Sequence, residues 1–196
     1  HSAAMEPVRD GLLAELADGL WQAGPDALAF FEPAASRKAG PVETLAGFVL
    51  VRDSDAARLP DGVYALISAT PRAAFGRAAP LLARTRDFDA GAPAGHPTAR
   101  LEEGVRIMPG AVIGPDAHIG ADTVIGPNAV IGPGCAIGRR CVIGAGASIA
   151  CALIGDRVSI GPNAAVGHAG FGVAGDARGL VDLPQLGRVI IQNDVS

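Results

Sequence analysis

The segment from Arg106 to Ile149, RIMPGAVIGPDAHIGADTVIGPNAVIGPGCAIGRRCVIGAGASI, sets the architecture because isoleucine recurs in it at every sixth position. The run begins at Ile107 and continues without a miss, and glycine follows most of the isoleucines. Six residues make one short strand and one turn, so three repeats close a triangular coil with the isoleucines stacked inside it. The period therefore predicts a mainly β protein built on a left-handed parallel β-helix of hexapeptide repeats.

The same rhythm locates two irregularities farther along the chain. The interval from Ile149 to Ile154 is five residues, which we interpret as a deletion at one corner of a coil. Over residues 168–189 the repeat disappears into a glycine-rich stretch that reads as a loop excursion from the prism, and Ile191 resumes it. A last coil without a cap would leave its strand edges bare, so we expect further coils beyond residue 196.

The chain before the repeat has a different composition. We divide the sequence into a tag remnant at 1–4, a small α/β domain at 5–89, a linker at 90–97 and the β-helix at 98–196. Leucines at positions 12, 16 and 20 predict one helix, and Thr70-Pro71 predicts the start of a second helix that runs to Leu82. Pro80 should kink or shorten this second helix. Short apolar runs predict strands at Leu28–Phe31, Gly47–Val51 and Val63–Ser68.

Composition and charge exclude several classes of protein. The net charge is -4 and no Lys/Arg run is interleaved with aromatic residues, so a nucleic-acid partner is not expected. No apolar run is long enough for a membrane span, and the first residues show no charged region followed by an apolar stretch, so we expect a cytoplasmic protein. Cys135, Cys141 and Cys151 lack the spacing of a zinc site or a disulfide framework and are expected to be small buried residues.

Two polar features leave alternatives open. His168 begins the excursion and could act as a base or a metal ligand, although a packing role is favoured. A zinc site between β-helix subunits needs three converging histidines, so no metal is expected. Arg139 and Arg140 lie at a coil corner, where they could attract an acidic carrier protein or simply be solvated.

Three motifs carry a resemblance to a known family: His96-Pro97-Thr98-Ala99 before the repeat, Gly170-Phe171-Gly172 in the excursion, and PQLGRVII at 184–191. With the order of the domains, they resemble the UDP-3-O-(3-hydroxyacyl)glucosamine N-acyltransferase family of lipid A biosynthesis. Many acyltransferases share the hexapeptide repeat, so the last two motifs carry most of the specificity. The resemblance covers the chain after the tag, which looks like the first half to two-thirds of a family member.

The resemblance implies an acyltransferase that works as a homotrimer on a UDP-glucosamine substrate. A 3-hydroxyacyl thioester would arrive on the phosphopantetheine arm of acyl carrier protein, with no cofactor bound to the chain itself. The acceptor would be the 2-amino group of an O-acylated UDP-glucosamine, and its acylation needs a general base and an oxyanion donor. In the family the base is a histidine of a later coil, so no catalytic residue is assigned within residues 1–196.

The resemblance also implies that the α/β domain binds uridine, with the uracil between an aromatic residue and a tyrosine six positions on. Phe30 matches the aromatic residue, but position 36 is serine, so Arg37 is the next side chain able to stack on a base. Phe30 and Phe31 could instead be core residues of a strand, with only one of them facing inward. Phe171 could line the substrate cleft, or it could anchor the excursion by burying its ring.

Two other functions fit the same sequence. The chain could be a hexapeptide transferase that uses acyl-coenzyme A and another nucleotide sugar, although the PQLGRVII motif would then be unexplained. It could also be a non-catalytic trimeric β-helix scaffold. An Ile-x-His coil downstream of residue 196 would favour the enzyme over the scaffold.

Overall fold

The computed structural model describes residues 5–7, 15–16, 23–33, 40–85, 88, 91–184 and 187–196. The chain divides into two compact units. One, here called the α/β unit, comprises residues 5–84 together with 169–186. The other, the β-helix unit, takes in residues 85–168 and 187–196.

A four-stranded parallel sheet forms the centre of the α/β unit. The elements of this region are β1 (Met5–Pro7), β2 (Glu15–Leu16), β3 (Ala27–Phe30), β4 (Phe48–Val51), a 3-10 helix (Asp53–Arg58), β5 (Tyr64–Ile67), α1 (Pro71–Leu82) and β6 (Ala83–Thr85). The strand order in the sheet is β2-β3-β4-β5, and β1 pairs with β6. Strands β3, β4 and β5 confirm the three predicted from apolar runs. The helix predicted over positions 12–20 is wrong at Glu15–Leu16, which is a strand, and its other positions lie outside the described residues.

Apolar side chains cover both faces of this sheet because they alternate along β3 and β4. On one face, Phe75 of α1 packs with Leu28 and Leu50 in a buried cluster. On the opposite face, Val49 and Val51 are fully buried in a second cluster. The sheet therefore has two apolar faces, and both neighbouring phenylalanines at the end of β3 find apolar surroundings.

Helix α1 begins at Pro71 and ends at Leu82, as the sequence predicted. The Ala74 amide donates to the Thr70 carbonyl at 2.9 Å, which closes the first turn. Pro80 lies inside the helix, yet the helix continues to Leu82. A proline this close to the end removes a single backbone hydrogen bond, so it does not stop the helix earlier.

The β-helix unit consists of short strands that return to the same three faces. Its strands are β7 (Arg100–Leu101), β8 (Arg106–Ile107), β9 (Val112–Ile113), β10 (His118–Ile119), β11 (Val124–Ile125), β12 (Val130–Ile131), β13 (Ala136–Ile137), β14 (Val142–Ile143), β15 (Ser148–Ile149), β16 (Ala152–Ile154), β17 (Ser159–Ile160) and β18 (Ala165–Val166), followed after the excursion by β21 (Val189–Ile191). They form three parallel sheets with the orders β7-β10-β13-β16-β21, β8-β11-β14-β17 and β9-β12-β15-β18. This is the predicted left-handed parallel β-helix.

The register of the sheets explains the slip in the hexapeptide rhythm. Ile119 pairs with Ile137, eighteen positions on, whereas Ile137 pairs with Ile154, seventeen positions on. The missing residue falls at the corner before β16, where Cys151 has a positive φ of 41°. Ile191 then pairs with Ile154, so the isoleucine stack continues after the excursion.

The interior of the prism holds two sets of side chains, isoleucines and small residues. The isoleucines from Ile113 to Ile149 are at most 3% exposed, and small residues two positions before them fill the rest of the core. Thr123 is the polar member of the small-residue set: its hydroxyl donates to the Gly138 carbonyl at 2.8 Å and accepts from the Cys141 amide at 3.0 Å. Cys135 and Cys141 belong to the same set, which confirms that they are small buried residues, whereas Cys151 is only partly buried. Burial raises the pKa of the Cys135 thiol.

The first coil departs from the predicted inward pattern. Ile107 is 40% exposed, because β8 is the edge strand of its sheet and no earlier coil covers it. Ile113 lies on an edge strand as well, but it is 1% exposed. Its amide donates to the Ala94 carbonyl at 2.6 Å, and the His96 amide donates to the Ile113 carbonyl at 3.0 Å, so the preceding segment covers this edge.

The excursion contains regular structure of its own. Strands β19 (Val173–Asp176) and β20 (Gly179–Asp182) form an antiparallel hairpin, which we call the excursion hairpin. Its register pairs Ala174 with Val181, and Ala174 is buried. The stretch was predicted as a loop because of its glycines, and the structure corrects this for residues 173–182.

Candidate functional site

The end of β3 carries the two phenylalanines singled out from the sequence. The Phe30 ring lies against the Phe75 ring of α1, with 5.2 Å between the centroids and 46° between the planes. Phe31 packs against the cluster on the other face of the sheet. Both rings therefore have a packing role, and Phe30 keeps part of its surface exposed.

Arg58 organises the surroundings of Phe31. Its guanidinium carbon lies 4.8 Å from the centroid of the Phe31 ring. The same group donates to the Gly40 carbonyl at 2.8 Å and to Asp55 Oδ1 at 2.6 Å. Arg37, the proposed stacking residue, lies outside the described residues, and its role stays a prediction. Sequence reasoning missed Arg58, because its distance from Phe31 along the chain gives no local signal.

Phe171 is presented on a tight turn. The Gly172 amide donates to the Gly170 carbonyl at 3.0 Å, and the Leu183 amide donates to the Gly172 carbonyl at 2.8 Å. The Phe171 side chain is 96% exposed. It does not anchor the excursion by burying its ring, and its other predicted role, lining the substrate cleft, stays a prediction.

The excursion hairpin is attached to α1 of its own unit. Arg77 donates to both carboxylate oxygens of Asp176, at 2.8 Å from Nε and 2.6 Å from Nη2. These hydrogen bonds lower the pKa of Asp176 from 3.8 to about 2, with the Arg77 charge adding to the effect. Gly76 permits the close approach, since a Cβ there would lie 3.0 Å from the Asp182 carbonyl oxygen.

A charged cluster lies at one corner of the β-helix. Glu102 accepts from the Ala121 amide at 3.0 Å and from Arg139 Nε at 3.1 Å, and it lies 3.3 Å from His118 Nε2. The Ala121 amide is the main cause of the lowered pKa of Glu102, followed by the hydrogen bond from Arg139. Arg139 is thus committed to a carboxylate within the chain, which favours its interpretation as an ordinary corner residue.

His168 folds back onto the prism. Its Nε2 lies 2.8 Å from the Ser148 hydroxyl oxygen. The preceding Gly167 has a φ of 71°, and a Cβ there would lie 1.7 Å from the Ala150 carbonyl oxygen, so this turn requires glycine. In the described part of the chain, no group of three or more His, Cys, Asp or Glu residues is arranged to hold a metal ion.

A pocket lies at the amino end of the sheet, on the loops that precede β3, β4 and β5. It has a volume of about 520 Å³ and is lined by Pro25, Asp26, Thr44, Leu45, Ala46, Gly47, Phe48, Pro60, Asp61, Gly62, Val63 and Tyr64. The rings of Phe48 and Tyr64 stack beside it. Sequence reasoning missed this pocket, since three separate loops supply it.

None of the described helices combines the length and apolar character that a membrane span requires.

Comparison with known proteins gives consistent matches. The family model described as bacterial transferase hexapeptide (six repeats) matches residues 98–133 and 116–151. A UDP-3-O-acylglucosamine N-acyltransferase of Caulobacter vibrioides (strain NA1000 / CB15N) is 53% identical over 170 residues, which cover 87% of this chain and 50% of the relative. The protein of the same name from Methylobacterium sp. (strain 4-46) is 49% identical over 208 residues, with coverage of 98% and 57%. A third, from Granulibacter bethesdensis, is 46% identical over 180 residues, with coverage of 88% and 51%.

The β-helix and its repeat define the chain as a hexapeptide-repeat protein, and its repeat matches the bacterial transferase hexapeptide family. Within this class the chain is homologous to the UDP-3-O-acylglucosamine N-acyltransferases, which confirms the resemblance stated from its motifs. The chain spans about half the length of the curated relatives it matches.

Proposed function

We propose that the chain is part of an N-acyltransferase that transfers a 3-hydroxyacyl group to the 2-amino group of UDP-3-O-(3-hydroxyacyl)glucosamine in lipid A biosynthesis. The observation that carries this proposal is identity of 46–53% to proteins named UDP-3-O-acylglucosamine N-acyltransferase over 87–98% of the chain. The alignments therefore extend beyond the repeat, which many acyltransferases share, into the α/β unit. Without that extension, the repeat alone would support only a generic transferase.

In the proposed reaction, the sugar amine attacks the thioester carbonyl carbon while a base takes the amine proton. The C–S bond then breaks, and the phosphopantetheine thiol of acyl carrier protein leaves with a proton. A histidine in a later coil would be the base, so residues 1–196 supply binding and scaffolding rather than proton transfer. The donor is carried by acyl carrier protein, no cofactor is held by the chain, and the reaction takes place in the cytoplasm.

Within this proposal the carboxyl end of the sheet receives the uracil. Phe30 retains partial exposure, and Arg37 would stack on the base from the opposite side. Arg58 supports the same end by joining Phe31, Asp55 and the Gly40 carbonyl. The exposed Phe171 ring would contact the substrate or a neighbouring subunit, since an aromatic ring left in water gains most from being covered.

A homotrimer is part of the proposal. Some outward positions on the faces of the β-helix carry exposed aliphatic side chains: Val142 is 49% exposed and Ile190 is 69% exposed. Covering aliphatic residues of an outer face with another surface is favourable, because it removes apolar area from water. Sedimentation equilibrium would test this, with a threefold molecular mass expected and a monomer at all concentrations contradicting it.

The activity is tested on the protein encoded by the complete parent reading frame. We expect it to convert UDP-3-O-(3-hydroxyacyl)glucosamine to the diacylated product with 3-hydroxyacyl-acyl carrier protein as donor, as followed by mass spectrometry. The matched donor is the same acyl group on coenzyme A, which should react far more slowly. Equal rates with both donors would favour the coenzyme A-dependent alternative, and no product with either would favour the scaffold.

A further inference from the structure

The pocket at the amino ends of β3, β4 and β5 is here called the amino-end pocket. Its residues have no role in the proposed acyl transfer. Its volume of about 520 Å³ lies within the range of roughly 300–1,000 Å³ that is typical of small-molecule sites. It lies at the opposite end of the parallel sheet from Phe31 and Arg58. A ligand here would therefore be separate from one bound at the carboxyl end.

An aromatic platform forms one wall of this pocket. The centroids of the Phe48 and Tyr64 rings are 5.4 Å apart, and their planes are inclined by 18°, so the rings are stacked. Tyr64 is the chain's one tyrosine and is 68% exposed, which is unusual for an aromatic side chain held by a stacking partner. Phe48 supports the ring from one side and leaves most of Tyr64 open to a ligand.

The charges around the platform have a single sign. Asp26 and Asp61 line the pocket, and the described part of its lining contains no lysine, arginine or histidine. Among the residues that the structure describes, neither carboxylate is in an ion pair. The field of two unpaired carboxylates attracts a cation and repels phosphate, so the pocket disfavours a nucleotide.

The three loops are fixed in place by short-range contacts. The Tyr64 amide donates to the Gly47 carbonyl at 2.8 Å, which ties β5 to the loop before β4. Gly47 itself lies so close to the first loop that a Cβ would be 1.8 Å from the Pro25 carbonyl oxygen. The pocket is thus formed by a backbone arrangement that admits only glycine at position 47.

We propose that the amino-end pocket binds a guanidinium group, which stacks on Tyr64 between Asp26 and Asp61. A planar cation satisfies both features at once, because it stacks on an aromatic face and donates several hydrogen bonds to carboxylates. The pocket is larger than a guanidinium group alone, so it also accommodates the carbon chain or peptide that carries the group. This inference does not rest on the proposed acyl transfer.

Binding is tested by calorimetry on the purified chain, with acetyl-Gly-Arg-Gly-amide as the probe. The matched probe contains citrulline, which keeps the shape of arginine and removes its charge. We expect the arginine peptide to bind at least fivefold more tightly than the citrulline peptide and more tightly than a lysine peptide. Methylguanidinium serves as a third probe, which distinguishes a protein segment from a small guanidine as the ligand. Tighter binding of the arginine peptide than of methylguanidinium indicates a protein segment, and equal affinities indicate a small guanidine.

Variants identify the site. Tyr64→Leu should weaken binding about two- to fivefold, as expected for loss of an exposed cation–π contact, while Tyr64→Phe should retain it. Asp26→Asn and Asp61→Asn should each weaken binding, and Asp53→Asn, an exposed aspartate outside the pocket, should not. Circular dichroism checks that each variant is folded. Equal binding of the arginine and citrulline peptides, or binding unchanged in Tyr64→Leu, would overturn the proposal.

Discussion

Replacing a single inward isoleucine tests the stacked core most directly. Ile143 is 1% exposed and lies between Ile125 and Ile160 in its sheet, so Ile143→Ala removes three buried carbons from the middle of a stack. At about 0.8 kcal/mol per buried carbon, the lost transfer free energy is roughly 2.4 kcal/mol. The cavity adds to this, because neighbours held in a β ladder collapse poorly, and the total should lie between about 3 and 5 kcal/mol.

The neighbouring Val142 provides the matched control. It occupies the same strand, points outward and is 49% exposed, so Val142→Ala should change the free energy of unfolding of the unassembled chain by no more than about 0.5 kcal/mol. Urea titrations followed by circular dichroism at two protein concentrations measure both variants and separate folding from assembly. The inward assignment of the isoleucines would be refuted if Ile143→Ala were as stable as the parent chain. It would also be refuted if Val142→Ala lowered the free energy of unfolding as much as Ile143→Ala does at both concentrations.

Three further perturbations follow from the geometry. Gly167→Ala should destabilise the β-helix by more than about 2 kcal/mol, since it combines a positive φ with a steric overlap, whereas Gly161→Ala meets nothing within 4 Å and should be tolerated in the same thermal melts. Ile131→Asp should unfold the array by burying an unpaired charge, and a folded variant would contradict its inward position. The folded pKa of Asp176 lies below its ordinary value, so its ion pair with Arg77 stabilises the hairpin above about pH 4 and is lost as the pH falls towards 2. Limited proteolysis by pepsin should therefore cut the hairpin of the parent chain more slowly than that of Asp176→Asn near pH 4, and the two should be cut at equal rates near pH 2.

The β-helix could be predicted because its signal is repeated and local. Each hexapeptide carries its own inward isoleucine, and eight of them in succession leave one consistent register. The slip before Ile154 was also readable, since the period resumes on the far side of it. Strands β3, β4 and β5 were predicted from apolar runs bounded by proline, glycine and aspartate, and α1 was predicted from its Thr70-Pro71 start.

The errors occur where contacts distant in sequence decide the structure. The spacing of leucines near Leu16 suits a helix, yet Glu15–Leu16 pairs with β3 in the sheet. The glycines of the excursion suggested a loop, but pairing with a partner strand and the Arg77–Asp176 contact order residues 173–182 as a hairpin. Pairing of this kind overrides local preference, and the sequence gives little indication of the partner.

The candidate sites were harder to predict than the fold. Phe30 and Phe171 could be named from motifs, but not their environments: a ring packed on Phe75 in the first case and a fully exposed ring in the second. Arg58 reaches Phe31 across the fold, and the amino-end pocket combines three loops. Side chains gathered from separate segments carry no periodic signal, so only the folded chain reveals them.

The seventeen-residue coil shows how such a prism accommodates changes in length. A residue lost from a strand would exchange inside for outside at every later position of that strand, because neighbouring side chains point to opposite faces. A residue lost at a vertex, that is, at a corner between two sheets, shortens one bend, and Ile154 still pairs with Ile137. Vertices can therefore gain or lose residues, up to a complete hairpin as after His168, while the flat sides keep their dimensions and stacking resumes on the next side.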